Sequence, residues 1–280
     1  MRNKLLDSIY GVAGALGNPL DYLEDAEKKY GDIRTYFSKY KNPVGIELEI
    51  ENVSSEFKTH LLDSTLFWTI KEDSSLKIRG CEFVSIPLSG KNIDYAIHEF
   101  AHLSRGQEFL YSVRTSIHVH VNVAYMTEEE WVSFILLSAY LEPLLYTLCD
   151  PQRKESPYCY PISNLAPGDV FSIKEDLKYC GINTAPTSSQ LTIEFRHMHG
   201  HNNWKLLRRW IQVLCKIQYY AKTKSGKEVR QKLREVIRTK NHEQLVKSIL
   251  GASIILFPNL TVCDDNLLWV LSAIVRAEHM

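Results

Sequence analysis

Two rhythms of apolar and polar positions run along this chain of 280 residues. Near the N-terminus Leu5, Leu6, Ile9, Ala13 and Leu16 recur at helical spacing until Asn18-Pro19 interrupts them, and a charge-rich pattern resumes from Leu20 to Tyr40. These positions predict a helical extension over residues 1–42. After Pro43 the period drops to two. In VGIELEIENV, Ile46, Leu48 and Ile50 alternate with Glu47, Glu49 and Glu51, as in a strand with one buried face. Further strands are expected over 66–70, 76–86, 115–124 and 190–197.

Helical spacing returns at 92–105, where Ile93, Ile97, Phe100 and Ala101 share one side, and at 203–221 through Trp204, Leu207, Trp210, Ile211 and Leu214. A third helix is expected over 128–148, opened by Thr127 with Glu130 three residues on, the spacing of a capping box. The chain beyond reads as two or three more helices. Five strands among these helices predict an α+β fold around one curved, antiparallel or mixed sheet. The stretch 150–168 predicts a loop long enough to be a lid or an insertion. The organisation expected is a catalytic core over 43–222, with helical cover of the same domain over 223–280.

Composition narrows the function classes. With 45% hydrophobic residues a packed core is feasible, and 33 basic against 33 acidic residues leave no overall field to recruit nucleic acid or an anionic membrane. The charge-dense stretch 222–240 has eight Lys/Arg and two Glu but no interleaved aromatics, so it predicts a solvated helix face rather than a nucleic-acid contact. No stretch approaches the roughly 20 apolar residues that a bilayer requires, and a cytoplasmic protein with neither membrane nor nucleic-acid partners is expected. Six cysteines without a C-x-x-C pair favour reduced thiols. Neither G-x-x-x-x-G-K-[ST] nor G-x-G-x-x-G after a strand is present, which excludes P-loop and Rossmann nucleotide sites on pattern.

The candidate chemistry lies in the strands. Glu47 and Glu49, His118 and His120, and Glu194 and Arg196 are each spaced i, i+2 with apolar residues between, so each pair must face one way. If the strands are neighbours, one face gathers three Glu, two His and an Arg. Glu82, in CEFVSIPLSG, and Asp73, in KEDSSL, add to them. Carboxylates concentrated without local Lys repel one another, and a divalent cation is the usual remedy. Oxygen donors with imidazole suit Mg²⁺ or Mn²⁺.

The order E-x-E, D-x-S, E-x-x-S-x-P, H-x-H, E-x-R resembles the amidoligases of the carboxylate-amine ligase class, which share the glutamine synthetase and glutamate-cysteine ligase fold. GIELEI, EDSSLKIRGCEFVSIPL, SIHVHVNV and LTIEFRHMHGHNNWKLLRRWIQVL carry the resemblance, from about Val44 to Leu214. It implies a glutamine synthetase-like catalytic domain: a mainly antiparallel sheet with a concave catalytic face and helices on the other. The implied activity is ATP-dependent amide formation through an acyl phosphate, with Mg²⁺ and possible Mn²⁺.

Carried over by motif, Glu47, Glu49, Glu82, His118 and Glu194 would be metal ligands, and His120 would contact a phosphate. Arg196 would stabilise charge on the transferred phosphoryl group. Asp73 would bind a cation or orient the amine, and Ser85 would shape the substrate and cofactor pocket. Lys178, in the similar segment DLKYCGIN, would be a further cofactor contact. The implied partners are a small-molecule or peptide carboxylate and an amine, with a monomer or dimer able to work. His197, His199 and His201 depart from the family's small turn and predict surface histidines or an added metal site. A metal-dependent hydrolase, phosphoesterase or amidase, and a non-catalytic nucleotide-binding scaffold stay open as alternatives.

Overall fold

In a computed structural model the chain is described over residues 43–171 and 175–279. The expected N-terminal helical extension lies outside these residues. Two compact units are formed, one containing 43–125 with 186–208 and the other 126–185 with 209–279.

The first unit holds strands β1 (Val44–Ile50), β2 (Trp68–Lys71), β3 (Cys81–Ser85), β4 (Ser116–Asn122) and β6 (Thr192–His199). Their spatial order is β2-β3-β1-β4-β6, with antiparallel pairing at each step. Helices α1 (Ser55–Ser64) and α2 (Lys91–Leu103) cover the apolar face, and the short α4 (Pro186–Gln190) precedes β6. Phe83 from the sheet and Phe57 from α1 meet Phe100 of α2 edge to face, and Trp68 and Trp204 close around the same ring. Phe100 is fully buried at the centre of this cluster.

The expected curved sheet with a concave catalytic face is not what forms: the sheet is flat and open. Strong curvature needs repeated bulges or glycine kinks. Along the described strand pairs there is one register shift, between Ile117 and Val119 on β4 against β6. The polar side chains are brought together by register, not by concavity. The predicted 76–86 strand is also shortened. Residues 72–80 form a loop, in which Asp73 Oδ1 accepts from the Ser75 amide at 2.8 Å and Arg79 adopts positive φ.

In the second unit, α3 (Glu128–Thr147) is buried on nearly every side, as a helix apolar all round must be. Thr127 and Glu130 close the predicted capping box. The unit also holds β5 (Ile182–Asn183), most of α5 (Trp204–Thr223), and α6 (Gly226–Thr239), α7 (Glu243–Leu250) and α8 (Leu267–Ala277). The 150–168 stretch is held within the second unit by hydrogen bonds. Glu142 accepts from the Ile162 amide at 2.8 Å, Tyr146 Oη donates to the Cys159 carbonyl at 2.7 Å, and Trp269 Nε1 donates to the Leu165 carbonyl at 2.8 Å. Helix α6 buries Val229, Leu233 and Val236 and turns its charges outward, where Lys224 pairs with Glu228 and Arg234 with Glu278. All six cysteines are free, and among the described residues no helix is long and apolar enough to cross a membrane.

Candidate metal centre

Four consecutive strands of the first unit build the site. Antiparallel register sets Glu47 of β1 opposite His118 of β4, Glu49 opposite Glu82 of β3, and His120 opposite Glu194 of β6. Directly opposed residues share a face, so these six side chains converge on the side away from Phe83 and Phe100. Glu47, His118, His120 and Glu194 are buried there.

His120 Nε2 lies 3.2 Å from Glu47 Oε1 and 3.9 Å from Glu194 Oε1. His118 Nδ1 lies 3.3 Å from Glu47 Oε2 and 3.1 Å from Glu194 Oε1. Arg196 Nη1 closes on Glu194 Oε1 at 2.6 Å. Ser116 donates its hydroxyl hydrogen to Glu49, so toward His118 Nε2, 2.7 Å away, it can only accept. Both ring nitrogens of His118 therefore face oxygen atoms. His120 Nε2 is buried beside Glu47 without a well-aligned hydrogen bond.

The electrostatics follow from this crowding. Burial is the largest influence on Glu47 and would raise its carboxyl, but His120 and His118 together outweigh it and hold the group well below the usual carboxylate range. Glu194 is likewise lowered, with Arg196 and then the two histidines overcoming burial. Glu82 goes the other way. Burial first and Glu47 second push it up to about 10, against Lys71. Burial pulls His120 down, yet Glu47 and then Glu194 hold it above the ordinary imidazole value. Burial also works against the Arg196 charge, and Glu194, Glu49 and Glu47 more than offset it.

One atom each from Glu47, His120 and Glu194 lie within 4.8 Å of one another, a buried set able to hold a divalent cation. Two carboxylates and an imidazole fit Mn²⁺ or Mg²⁺, and His120 Nε2, buried without a well-aligned hydrogen bond, is the kind of polar atom that a ligand would satisfy. The triad uses His120, to which the motif order had assigned a phosphate contact, whereas His118 sits between Ser116 and two carboxylates.

Not every expected residue joins the cluster. Ser85 lies on β3 with Cys81 and Phe83 on the apolar face, where its Oγ accepts from the Ile46 amide at 2.9 Å. Asp73 caps its own loop. Lys178 belongs to the second unit and sits 4.8 Å from the centre of the Tyr179 ring.

The register shift of β6 has its own effect. Val119 faces Phe195 and Ile117 faces Met198, so Arg196 and His197 together oppose His118. Beyond this bulge the faces exchange. Met198 turns to the apolar side and His199 comes opposite Ser116. His197 and His199 are strand residues rather than turn residues, and His197 is fully buried against Phe195.

Three side chains were passed over in the motif order although alternation flags them. Ser116 is i−2 to His118 and Thr192 is i−2 to Glu194, and each bonds an imidazole of the cluster. Glu51, i+2 to Glu49, is buried and accepts from the Lys77 amide at 2.7 Å, tying the 72–80 loop to the end of β1.

Residues 48–166 match the model of a family described as "Putative amidoligase enzyme". The match takes in Glu49, Glu82, His118 and His120, and it stops short of Glu47, Glu194 and Arg196. No curated protein matches the chain at a significant level. Region 48–166, with the strand β4 that carries both histidines of the buried cluster, is thus similar to a family described as amidoligases.

Proposed function

We propose that this chain is an ATP-dependent carboxylate-amine ligase, forming an amide on an amino acid, a peptide or a protein side chain. The observation that carries the reading is the buried triad Glu47, His120 and Glu194, set in register with Glu49, Glu82, His118 and Arg196 in and beside a region similar to the amidoligase family. In this reading a substrate carboxylate oxygen attacks the γ-phosphorus of ATP, the bond to ADP breaks, and an acyl phosphate results. An amine nitrogen then attacks the acyl carbon, phosphate leaves, and the amine proton passes to solvent.

Glu47, His120 and Glu194 would hold the cation, with Glu49 and Glu82 beside them. A bound Mg²⁺ or Mn²⁺ supplies neutralisation of phosphate charge. The Arg196 side chain, 18% exposed, is better placed than the buried Glu194 to meet an incoming phosphoryl group. Asp73 would orient the amine from its loop.

The test supplies the full chain with ATP, Mg²⁺, a mixture of the twenty amino acids, and hydroxylamine as the amine probe. Expected are ADP, phosphate and a hydroxamate, each absent when ATP or Mg²⁺ is withheld and absent in Glu47→Gln. Ester or phosphoester hydrolysis without nucleotide would instead make the chain a metallohydrolase. Nucleotide binding without turnover on any acceptor would make it a scaffold.

A further inference from the structure

An imidazole ligates a metal through one ring nitrogen, and the partner of the other nitrogen decides which one and in what direction. For His120 that partner is Thr192. Its Oγ1 lies 3.1 Å from His120 Nδ1, and the residue is fully buried. Thr192 opens β6 opposite Asn122, two residues before Glu194, and so faces the cluster one step along from it. A β-branched residue in a strand has little χ1 freedom, which fixes the direction of the hydroxyl. A hydroxyl that accepts from Nδ1–H leaves the Nε2 lone pair on the side of Glu47 and Glu194, 3.2 Å and 3.9 Å away, where Nε2 is buried without a well-aligned hydrogen bond and a cation between the three would meet it.

We infer that Thr192 is a positioning residue: it fixes the tautomer and tilt of His120 so that Nε2 is the nitrogen offered to a divalent cation between Glu47 and Glu194. This rests on the proposed metal centre, and it adds a residue outside the family match, which ends at 166.

Mn²⁺ is titrated into the metal-free full chain, with free Mn²⁺ followed by its EPR signal and heat by calorimetry. Thr192→Val keeps the branched shape and removes the hydroxyl; it is expected to weaken Mn²⁺ binding about tenfold or more, the usual effect of losing an outer partner of a ligating histidine. Thr192→Ser, which retains the oxygen, is expected to stay close to the parent. A merely structural role would shift the urea midpoints of both variants and leave their Mn²⁺ affinities alike. As a check independent of the variants' folding, ¹⁵N spectra of the Mg²⁺-loaded parent are expected to show His120 protonated at Nδ1.

Equal Mn²⁺ affinity in Thr192→Val and parent, or a proton found on Nε2, overturns the inference while the metal centre stands. Failure of the parent chain to bind Mn²⁺ at all removes the metal centre and this inference with it.

Discussion

Replacing Arg196 by Met removes the guanidinium that approaches Glu194 Oε1 to 2.6 Å and keeps much of the aliphatic volume. Glu194 is 4% exposed, and Arg196 is the leading influence opposing its burial. Stripping one partner from a buried ion pair costs about 3–5 kcal/mol, because the remaining charge stays desolvated. The 18% exposure of the Arg196 side chain and the two nearby histidines place the expectation at the lower end, about 3 kcal/mol. At roughly 2–4 °C per kcal/mol this is a fall of about 6–12 °C in Tm.

The sign of the pH dependence follows from Glu194. Its folded carboxyl lies below the ordinary 4.5, so the pairing contributes fully above pH 4.5 and is lost as pH falls through the folded value. The gap between Arg196→Met and the parent should be widest at neutral pH and should close in acid. Urea unfolding of the parent, Arg196→Met, Glu194→Gln and the double variant measures the coupling. A variant within about 1 kcal/mol of the parent at neutral pH, or a coupling near zero, would refute the claim that this pair holds the end of the cluster together.

Three other outcomes follow. His120 is held above 6.5, so its pairing with Glu47 and Glu194 contributes fully below pH 6.5 and is lost as pH rises through the folded value; metal affinity, which needs the neutral ring, should climb over that interval, as Mn²⁺ titrations at a series of pH values would show. Phe100→Ala, at the centre of the aromatic cluster under the sheet, should cost about 3–5 kcal/mol in urea unfolding, and a loss under about 1 kcal/mol would mean the cluster is not the core of the first unit. Gly200→Ala would press a new Cβ on the Thr115 side chain, 2.7 Å from its Cβ, and on its backbone at 3.2 Å; a destabilisation of about 1–3 kcal/mol is expected, and an unchanged midpoint would show that β4 and β6 can part there freely.

Much of the site was legible as a linear pattern. That Glu47 and Glu49, His118 and His120, and Glu194 and Arg196 share a face in pairs follows from a backbone whose side chains alternate, and it needs no tertiary information. The Thr127–Glu130 capping box and the amphipathic α6 are local in the same sense, set by contacts within one or two turns of helix.

What joins one strand to the next is not local. The order β2-β3-β1-β4-β6 and the register that sets Glu49 against Glu82 and His120 against Glu194 depend on how the apolar face packs on α1 and α2, because a one-residue slip would turn a strand's polar set into the core. The bulge at Arg196 and His197 breaks the alternation that a period of two assumes, sending Met198 inward and His199 outward, and no residue in TIEFRHMH announces it. The choice between the two imidazoles was equally hidden. His118 and His120 are equivalent in H-x-H, and they become different only in their neighbours: Ser116 lies against Nε2 of the first and Thr192 against Nδ1 of the second, while both face Glu47 and Glu194. Side-chain periodicity is a property of the chain, whereas hydrogen-bond partners across strands are a property of the packed molecule.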